Sequence, residues 1–470
     1  MQALKIKTGF FILSAIGMVA FLAGCASFTS QEKVDSAVRD AVKAEAPLVP
    51  EEWSMPSDQA DVRVGWISTF NDPTLAKLVQ EAQANNKKLQ AAAASLERAL
   101  ALAEKAGAAI KPTVDLSAGA ARSGTAESGS SSSELSVGLR VGWELDVWGR
   151  IRAGIRAAEA DAQAMAADYR YAQHSLAATT TKAYVTAIAA NEQGDVARKT
   201  LSILQETVRI VNAKHENGLV SAQDLALSRS DLARARERLT TAIGSQKDAL
   251  RALEILIGRY PSAELKVQKT LPDVPPPPPA GLPSELLERR PDVVSAERQV
   301  ASAFNVVAEA KAAKLPRLRL TSDTGGSSSS LSDIMKPENL AWQLGANLLT
   351  PIFDGGKLKA EERIETAEQK QALAQYGDAV LNAFSEVETL LDQGVVLNAR
   401  LEELTEARRH AEKAYRIAAL RHKEGETELL DVLTIQERLT TANSDVVAVQ
   451  RLLLEQRVNL HLALGGSWDD

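Results

Sequence analysis

The sequence is poor in cysteine, in aromatic residues and in basic excess. Cys25 is the only cysteine in 470 residues, so no intramolecular disulfide can form. Aromatic residues make up 4% of the chain, and the abundance of alanine, leucine, glutamate, arginine and glutamine favours long helices. The formal charge of −7 argues against a nucleic-acid partner. Because catalytic, phosphate-binding and Cys/His motifs are missing, the sequence predicts no enzyme, no metal site and no cofactor.

The amino terminus has the layout of a secretion signal. Lys5 and Lys7 precede an apolar run over residues 9–22 that is short for a spanning helix, which predicts a signal peptide over 1–24. The tetrad Leu22-Ala23-Gly24-Cys25 resembles the bacterial lipobox, which implies a covalent lipid on Cys25. The alternative is an incidental thiol in an anchor that is never cleaved. Ala26 follows the cysteine, which by resemblance to bacterial lipoproteins favours the outer membrane.

The segment 134–147 alternates strictly between apolar and small or polar residues. Apolar side chains occupy every odd position from Leu135 to Val147, which predicts a strand long enough to cross a membrane at a tilt. Arg140, Glu144 and Asp146 lie on the opposite face, where we expect water. At Gly149 the apolar period changes to three or four residues, which indicates a long helix that follows the strand without a loop.

The rest of the first half fits the same plan. Residues 25–70 show no strong period and are expected to be an extended, lipidated segment around the outside of the body. A first repeat over 71–258 then contains a helix over 71–110 capped by Asp72 and Pro73, and a β-hairpin over 112–148. A helix over 149–217, about 100 Å long, with room for one interruption near 191–195, turns at Gly218 into a return helix over 221–257 with seven-residue leucine spacing.

A proline-rich linker over 259–283 separates this half from a second repeat. Five consecutive prolines favour an extended spacer, and a partner-binding polyproline motif is the alternative. The second repeat, over 284–465, contains a hairpin over 316–353 and is followed by a tail over 466–470. Pro316 corresponds to Pro112, and 316 − 112 = 204, while Gly425 corresponds to Gly218, and 425 − 218 = 207. The chain is therefore predicted to be a tandem duplication.

Four membrane strands per chain cannot close a barrel. An open sheet edge in lipid leaves backbone N–H and C=O groups unsatisfied at several kcal/mol each. The sequence thus predicts an α+β membrane protein that trimerises, with a 12-stranded β-barrel continuous with a periplasmic α-helical barrel. Arg140, Glu144, Asp146 and Asn347 would line its aqueous lumen.

This layout resembles the TolC family of outer-membrane efflux channels. The stretch 281–293, GLPSELLERRPDV, together with the lipobox and the linker, resembles its lipoprotein branch, the OprM and NodT-like factors. The resemblance implies a homotrimer in outer-membrane lipid with a periplasmic helical body. It also implies two protein partners, a periplasmic adaptor and an inner-membrane transporter that supplies the energy.

The resemblance also implies roles for residues at the helical turns. Asp431 corresponds to an aspartate at the closed periplasmic aperture, although a solvated helix aspartate is the alternative. Family members with a double acidic ring have a second aspartate where Thr434 stands. Asp224 matches an acidic position that in the family bonds an arginine, and Thr427 stands in place of that arginine. The turns, which glycine C-caps, are expected to dock the adaptor through Gly218, Leu219, Val220, Gly425 and Glu426.

Several other residues receive structural interpretations. Trp143, Trp148 and Trp342, near strand ends, are expected in an interfacial belt. His215 and His422 share a repeat position but lack the further ligands of a metal site. The segment 289–292 is interpreted as a helix start after Pro283 or a kink at Pro291, and the serine runs at 130–133 and 327–330 as exposed loop tips.

The sequence therefore predicts a passive outer-membrane exit duct of a tripartite efflux system that performs no chemistry of its own. Two alternatives remain open at this point. One is the exit duct of a type I protein-secretion system, and the other is a periplasmic coiled-coil lipoprotein without a pore. The alternating strands discriminate against the second, since a soluble capping hairpin has no need of a fully apolar face.

Overall fold

The computed structural model describes residues 31–47, 49–55, 60, 65–124 and 131–467. The predicted signal peptide and Cys25 lie outside these residues. Within the described residues, nine α-helices and four β-strands follow one another as α1 (Gln31–Glu45), α2 (Pro73–Asn85), α3 (Lys87–Ala108), β1 (Thr113–Gly124), β2 (Ser131–Leu145), α4 (Arg150–Glu216), α5 (Ala222–Leu256), α6 (Pro283–Arg289), α7 (Pro291–Ala312), β3 (Arg317–Ser328), β4 (Leu340–Leu349), α8 (Lys357–Glu424) and α9 (Leu429–Ala463).

The chain forms two compact units, and each unit takes segments from both sequence repeats. The first unit takes its described residues from Met1–Pro47, Ser95–Ala166 and Ser295–Ala379, and the second takes its described residues from Leu48–Ala94, Ala167–Val294 and Val380–Asp470. Neither repeat is a compact unit by itself.

The first unit contains a four-stranded antiparallel sheet in the order β1-β2-β3-β4. Both predicted hairpins are confirmed. Two strands extend into the predicted loop tips, since β2 begins at Ser131 and β3 continues to Ser328. Residues 131–133 and 327–328 of the serine runs therefore lie in strands, and residue 130 lies outside the described residues. Gly325 lies in β3 opposite Gly138, and only glycine fits there because a Cβ atom would stand 2.5 Å from the Val137 carbonyl oxygen of the neighbouring strand.

Two helices begin where the sequence predicts. Asp72 caps α2, since its carboxylate accepts hydrogen bonds from the backbone N–H groups of Thr74 and Leu75 at 2.8 and 3.4 Å. Ser221 and Asp224 form a capping box at the start of α5. The 67-residue helix α4 runs through residues 191–195 without the interruption that the sequence allowed.

The predicted helix over 71–110 is divided at Asn86, which the sequence analysis missed. The Asn86 side chain accepts hydrogen bonds from the N–H groups of Lys88 and Leu89 at 3.0 and 3.1 Å, and donates one to the Leu256 carbonyl at 2.9 Å. Asn86 therefore caps the new helix α3 and ties it to the end of α5.

The sequence predicted an extended amino-terminal segment, but part of this segment is helical. Residues 31–45 form helix α1, of which only Val38 is buried. The sequence also predicted that this segment lies on the outside of the folded protein, but several of its described residues are buried. Trp66 and Phe70 lie in the main hydrophobic core of the second unit, and Trp53 is buried with its indole N–H donating to the Gly281 carbonyl at 3.1 Å.

The proline-rich linker lacks helix and strand until Pro283, as expected for a spacer, and side chains of the second unit hold it. The buried Glu254 carboxylate accepts hydrogen bonds from the N–H groups of residues 263, 264 and 265 at 2.7, 2.9 and 3.0 Å. Burial alone would raise the pKa of Glu254, but these donors hold it below its usual value. Farther along, Gln450 and Arg457 donate to the carbonyls of Pro272 and Pro275.

Arg290 separates α6 from α7 and anchors the segment that follows the linker. Its buried guanidinium donates to both carboxylate oxygens of Asp292 at 3.0 and 2.7 Å, to Glu386 at 2.8 Å and to the Ala463 carbonyl at 3.0 Å. Arg290 itself has extended backbone angles, so the sequence alternatives resolve as two helices and not as one kinked helix. These contacts agree with the structural interpretation of this motif.

Candidate functional site: the sheet and the helical tips

The sheet of the first unit has one apolar face. Directly opposite residues of antiparallel strands share a face, and on this face lie Val114, Leu116, Leu139, Trp143, Leu320, Trp342, Leu344 and Leu348. Leu116, Trp342 and Leu344 are 73%, 77% and 70% exposed. An apolar surface of this extent on a single sheet is typical of a site that contacts lipid or another protein.

The other face carries charged and small polar residues in cross-strand rows. One row places Asp115, Arg140, Asp323 and Gln343 opposite one another on β1 to β4, and Arg140 Nε donates to Asp323 at 2.7 Å. A second row places Glu144 opposite Arg319, and Arg319 opposite Asn347. The polar positions predicted for Arg140, Glu144 and Asn347 are thus confirmed on one face.

The sequence predicted Asp146 on that polar face, and this prediction is wrong because β2 ends at Leu145. Its carboxylate accepts hydrogen bonds from the N–H groups of Ile151 and Arg152, both at 3.0 Å, and from Arg152 Nε at 2.9 Å. Asp354 accepts comparable bonds from Gly356 and Leu358 at the start of α8. Both carboxylates therefore cap the long helices, which explains how each strand continues into a helix with only a short connection.

The three tryptophans of the predicted belt occupy different environments. Trp143 and Trp342 lie on the apolar face, and the Trp143 indole N–H donates to the Ile110 carbonyl at 2.9 Å. Trp148 follows β2 and its indole N–H donates to the Pro316 carbonyl at 2.6 Å, which joins the two repeats. Their place at a lipid interface stays a prediction.

The helical tips of the second unit have the same geometry in both repeats. Gly218 and Gly425 adopt φ values of +71° and +84°, which favour glycine. Hydrogen bonds from the N–H of Leu219 to Lys214 and of Glu426 to Arg421, both 2.9 Å, close each long helix in a Schellman motif. The predicted C-capping role of the two glycines is confirmed.

The two tip histidines have a structural role that the sequence analysis missed. His215 Nδ1 lies 3.1 Å from the Val220 carbonyl oxygen, and His422 Nδ1 lies 2.7 Å from that of Thr427. Because a carbonyl only accepts, Nδ1 is the donor in both cases. The common repeat offset was the available signal, and each histidine fixes the residues that follow its glycine.

The exposed surfaces of the tips differ. Leu219 is 73% exposed at the first tip, whereas Glu426 takes the corresponding position at the second. Asp224 is engaged in the capping box at the start of α5. Asp431 is exposed in the first turn of α9, and the Thr434 hydroxyl donates to the Leu430 carbonyl at 2.8 Å.

A groove next to Thr434 separates α5 from α9. Its volume is about 380 Å³, and Asp231, Arg238 and Glu437 are among its lining residues. Arg238 donates to both oxygens of Glu437 at 2.9 and 2.8 Å, which lowers the pKa of Glu437. No local pattern predicts this ion pair, because the two residues are 199 positions apart in the chain.

No helix of the described residues has the length and apolar character that a membrane crossing requires. Among those same residues, no group of three or more His, Cys, Asp or Glu side chains is arranged to hold a metal ion.

The comparisons with known proteins decide the family. The family model for outer membrane efflux proteins matches residues 78–259 and 282–466. The chain belongs to the outer membrane efflux protein family. Both matched segments coincide closely with the two repeats.

Individual relatives extend this likeness over most of the chain. The pyoverdine export outer membrane protein OpmQ of Pseudomonas aeruginosa is 32% identical over 424 residues, which cover 88% of this chain and 89% of OpmQ. The probable outer membrane lipoprotein SilC of Salmonella typhimurium is 27% identical, with 97% and 98% of the two chains covered. The open-state MtrE outer membrane channel of Neisseria gonorrhoeae superposes with a TM-score of 0.81 at 28% identity, with 90% of this chain and 96% of MtrE covered.

Proposed function

We propose that three copies of this chain form a trimeric outer-membrane exit duct of a tripartite efflux system. The duct passively conducts small molecules, which a periplasmic adaptor and an inner-membrane pump deliver to it. The chain performs no catalysis, and its strands form a 12-stranded barrel that is continuous with a periplasmic helical barrel.

The two-faced open sheet is the observation that carries this proposal. Within the part of the chain that the structure describes, its outer strands β1 and β4 each have one unpaired edge. Such edges are costly in lipid, because each unsatisfied backbone group costs several kcal/mol. Three four-stranded sheets give an even-numbered barrel whose apolar face meets lipid and whose charged rows line a water-filled lumen.

The amino terminus supports the same location. A lipid on Cys25 would add an anchor in the outer membrane, and SilC is named an outer membrane lipoprotein. Acyl chains contribute about 0.8 kcal/mol for each buried CH₂ group, so a multiply acylated cysteine anchors firmly.

The tips serve as the adaptor-docking surface in this proposal. Leu219 presents an exposed apolar side chain on a turn that the Schellman motif and His215 hold rigid. A rigid exposed apolar residue is a favourable anchor, because little conformational entropy is lost on binding.

Asp431 of each copy lies at the periplasmic aperture, where like charges repel one another and attract cations. The lock through Asp224 is absent, since Thr427 provides no cationic partner and Ser221 already engages the carboxylate.

Two measurements test this function together. The detergent-purified protein is expected to have the mass of a trimer and to form conducting pores in planar lipid bilayers. A monomer that forms no pores would contradict the duct and favour a structural lipoprotein. For the docking surface, Leu219→Asp is expected to reduce adaptor-dependent efflux in cells while bilayer conductance stays unchanged.

A further inference from the structure

The two β-hairpins are the same hairpin repeated, down to the register of their strands. β1 and β3 both contain 12 residues, and they begin at Thr113 and Arg317, where 317 − 113 = 204. Thr113 lies opposite Gly142, and Arg317 lies opposite Leu349, so β2 and β4 correspond with an offset of 349 − 142 = 207. Each residue of one hairpin therefore has an equivalent in the other.

The contact between β2 and β3 is a junction from the first hairpin to the second. In this junction Leu145 lies opposite Leu318. Applying the two offsets, the equivalent of Leu145 is residue 145 + 207 = 352, which is Ile352, and the equivalent of Leu318 is residue 318 − 204 = 114, which is Val114. β4 and β1 are the two edges of the sheet, so this pair forms between copies if the ring repeats the same junction.

We propose that β4 of one copy pairs antiparallel with β1 of a second copy in the register that places Ile352 opposite Val114 and Leu349 opposite Ser117. This inference rests on the proposed function, because a ring of identical hairpins is needed for all junctions to be equivalent. It adds to that function the residues that meet at the subunit boundary.

An independent feature of β4 supports this register. β2 continues to Leu145, whereas β4 ends at Leu349, three residues before the equivalent Ile352. Ile352 and Phe353 are 89% and 91% exposed. The proposed register gives the segment 350–352 strand partners that it lacks among the described residues of one copy, and it covers Ile352 with Val114, itself 64% exposed.

The faces of the two strands agree with this pairing. Val114 belongs to the apolar face, and Ile352 follows Leu348 on that face at the strand period of two. A shift of one residue would place apolar side chains on the polar face, which the alternation of strand side chains excludes. A shift of two residues preserves the faces but breaks the equivalence with the β2–β3 junction.

Engineered disulfides test the register directly in the full-length protein. Ser117→Cys with Leu349→Cys, and Ala118→Cys with Leu348→Cys, are consecutive in-register pairs. One of them is a hydrogen-bonded pair and the other is not, with Cα atoms about 5.5 and 4.5 Å apart, which a disulfide can span. Ser117→Cys with Asn347→Cys, and Ala118→Cys with Ala346→Cys, are matched controls that are displaced by about 7 Å along the strand.

After oxidation, heat-denatured samples are separated on non-reducing gels, and single-cysteine variants correct for any reaction of Cys25. We expect at least one in-register pair to yield several-fold more covalent dimer and trimer than both displaced pairs. Stronger cross-linking of the displaced pairs would overturn the register and leave the trimer intact. No cross-linking by any pair in a protein that still forms pores would also overturn it, whereas a monomeric wild type without pores would refute the proposed function itself.

A second measurement does not depend on cysteines. Ile352→Asn should lower the temperature at which the detergent-solubilised oligomer dissociates. Leu331→Asn, at a position 75% exposed in the connection between β3 and β4, is the control and should leave that temperature unchanged. Equal dissociation temperatures for the two variants would contradict a subunit boundary at Ile352.

Discussion

Replacing Arg290 by alanine should destabilise the protein far more than replacing its neighbour Arg289. The Arg290 side chain is 5% exposed and forms two ion pairs, with Asp292 and Glu386, besides its bond to the Ala463 carbonyl. Burial alone would lower the pKa of Arg290, but its carboxylate partners raise it above the usual value. The guanidinium is therefore charged, and its removal leaves several acceptors without a donor.

The magnitude follows from these contacts. Removing one partner of a buried ion pair costs about 3–5 kcal/mol. The Asp292 and Glu386 side chains are 32% and 42% exposed, so water compensates in part, and we expect about 2–4 kcal/mol. Arg289 is half-buried and pairs with Glu285 four residues earlier, and such pairs contribute about 0.5 kcal/mol.

Thermal unfolding followed by circular dichroism provides the assay, at one protein concentration and one scan rate, because oligomer stability depends on both. Arg290→Ala should lower the unfolding midpoint by several degrees and Arg289→Ala hardly at all. The pores that remain in bilayers should conduct like those of the wild type. Equal midpoints for the two variants would refute the anchoring role, and normal stability with altered conductance would assign this motif to the conduction path.

Three further predictions concern ionisable groups. Glu254→Gln should cost about 2 kcal/mol at pH 7 through weakened bonds to the linker, with the exposed Glu264→Gln as control. Since the pKa of folded Glu254 is lowered, its stabilisation is present above about pH 4.5 and is lost as the pH falls through the folded value. Denaturant titrations of wild type and variant should therefore converge in acid. Burial and Arg457 lower the pKa of His461 to about 4. The unfolded chain takes up this proton first, near pH 6.5, so wild-type stability should fall by up to about 3 kcal/mol between pH 6.5 and 4. His461→Leu should abolish this slope, and an unchanged slope would assign it to other groups. Asp431→Asn should raise single-channel conductance in bilayers, whereas Asp445→Asn on the same helix should not, and no change in either would remove Asp431 from the aperture.

Patterns with a short period predicted the fold well. The alternation over 134–147 located a strand, the change of period at Gly149 located the start of α4, and Gly218 and Gly425 located both helical turns. These signals are local, because side-chain alternation and left-handed glycine conformations depend on neighbours in the chain. The duplication added a long-range constraint, since an offset of 204 relates the first strands of the two hairpins and an offset of 207 relates both their second strands and the tips.

Local patterns failed where a distant partner decides the structure. Asn86 divides a helix-forming stretch because its side chain bonds α3 and the Leu256 carbonyl, 170 residues away. The serine run at 327–330 was predicted to be a loop tip, but β3 continues to Ser328, and Gly325 lets this strand pass close to the backbone of β2, where a Cβ atom would not fit. Asp146 continues the alternation of β2 in sequence, yet its carboxylate caps α4 because the strand ends one residue earlier.

The sequence by itself determined the repeated order of helix, hairpin, long helix and return helix, because hydrophobic period, glycine and proline act over a few residues. Only the tertiary structure decided which segments share a compact unit, how β2 meets β3, and which buried charges hold the linker. Those features depend on contacts between residues that are far apart in the chain, and a linear pattern carries no record of their distance in space.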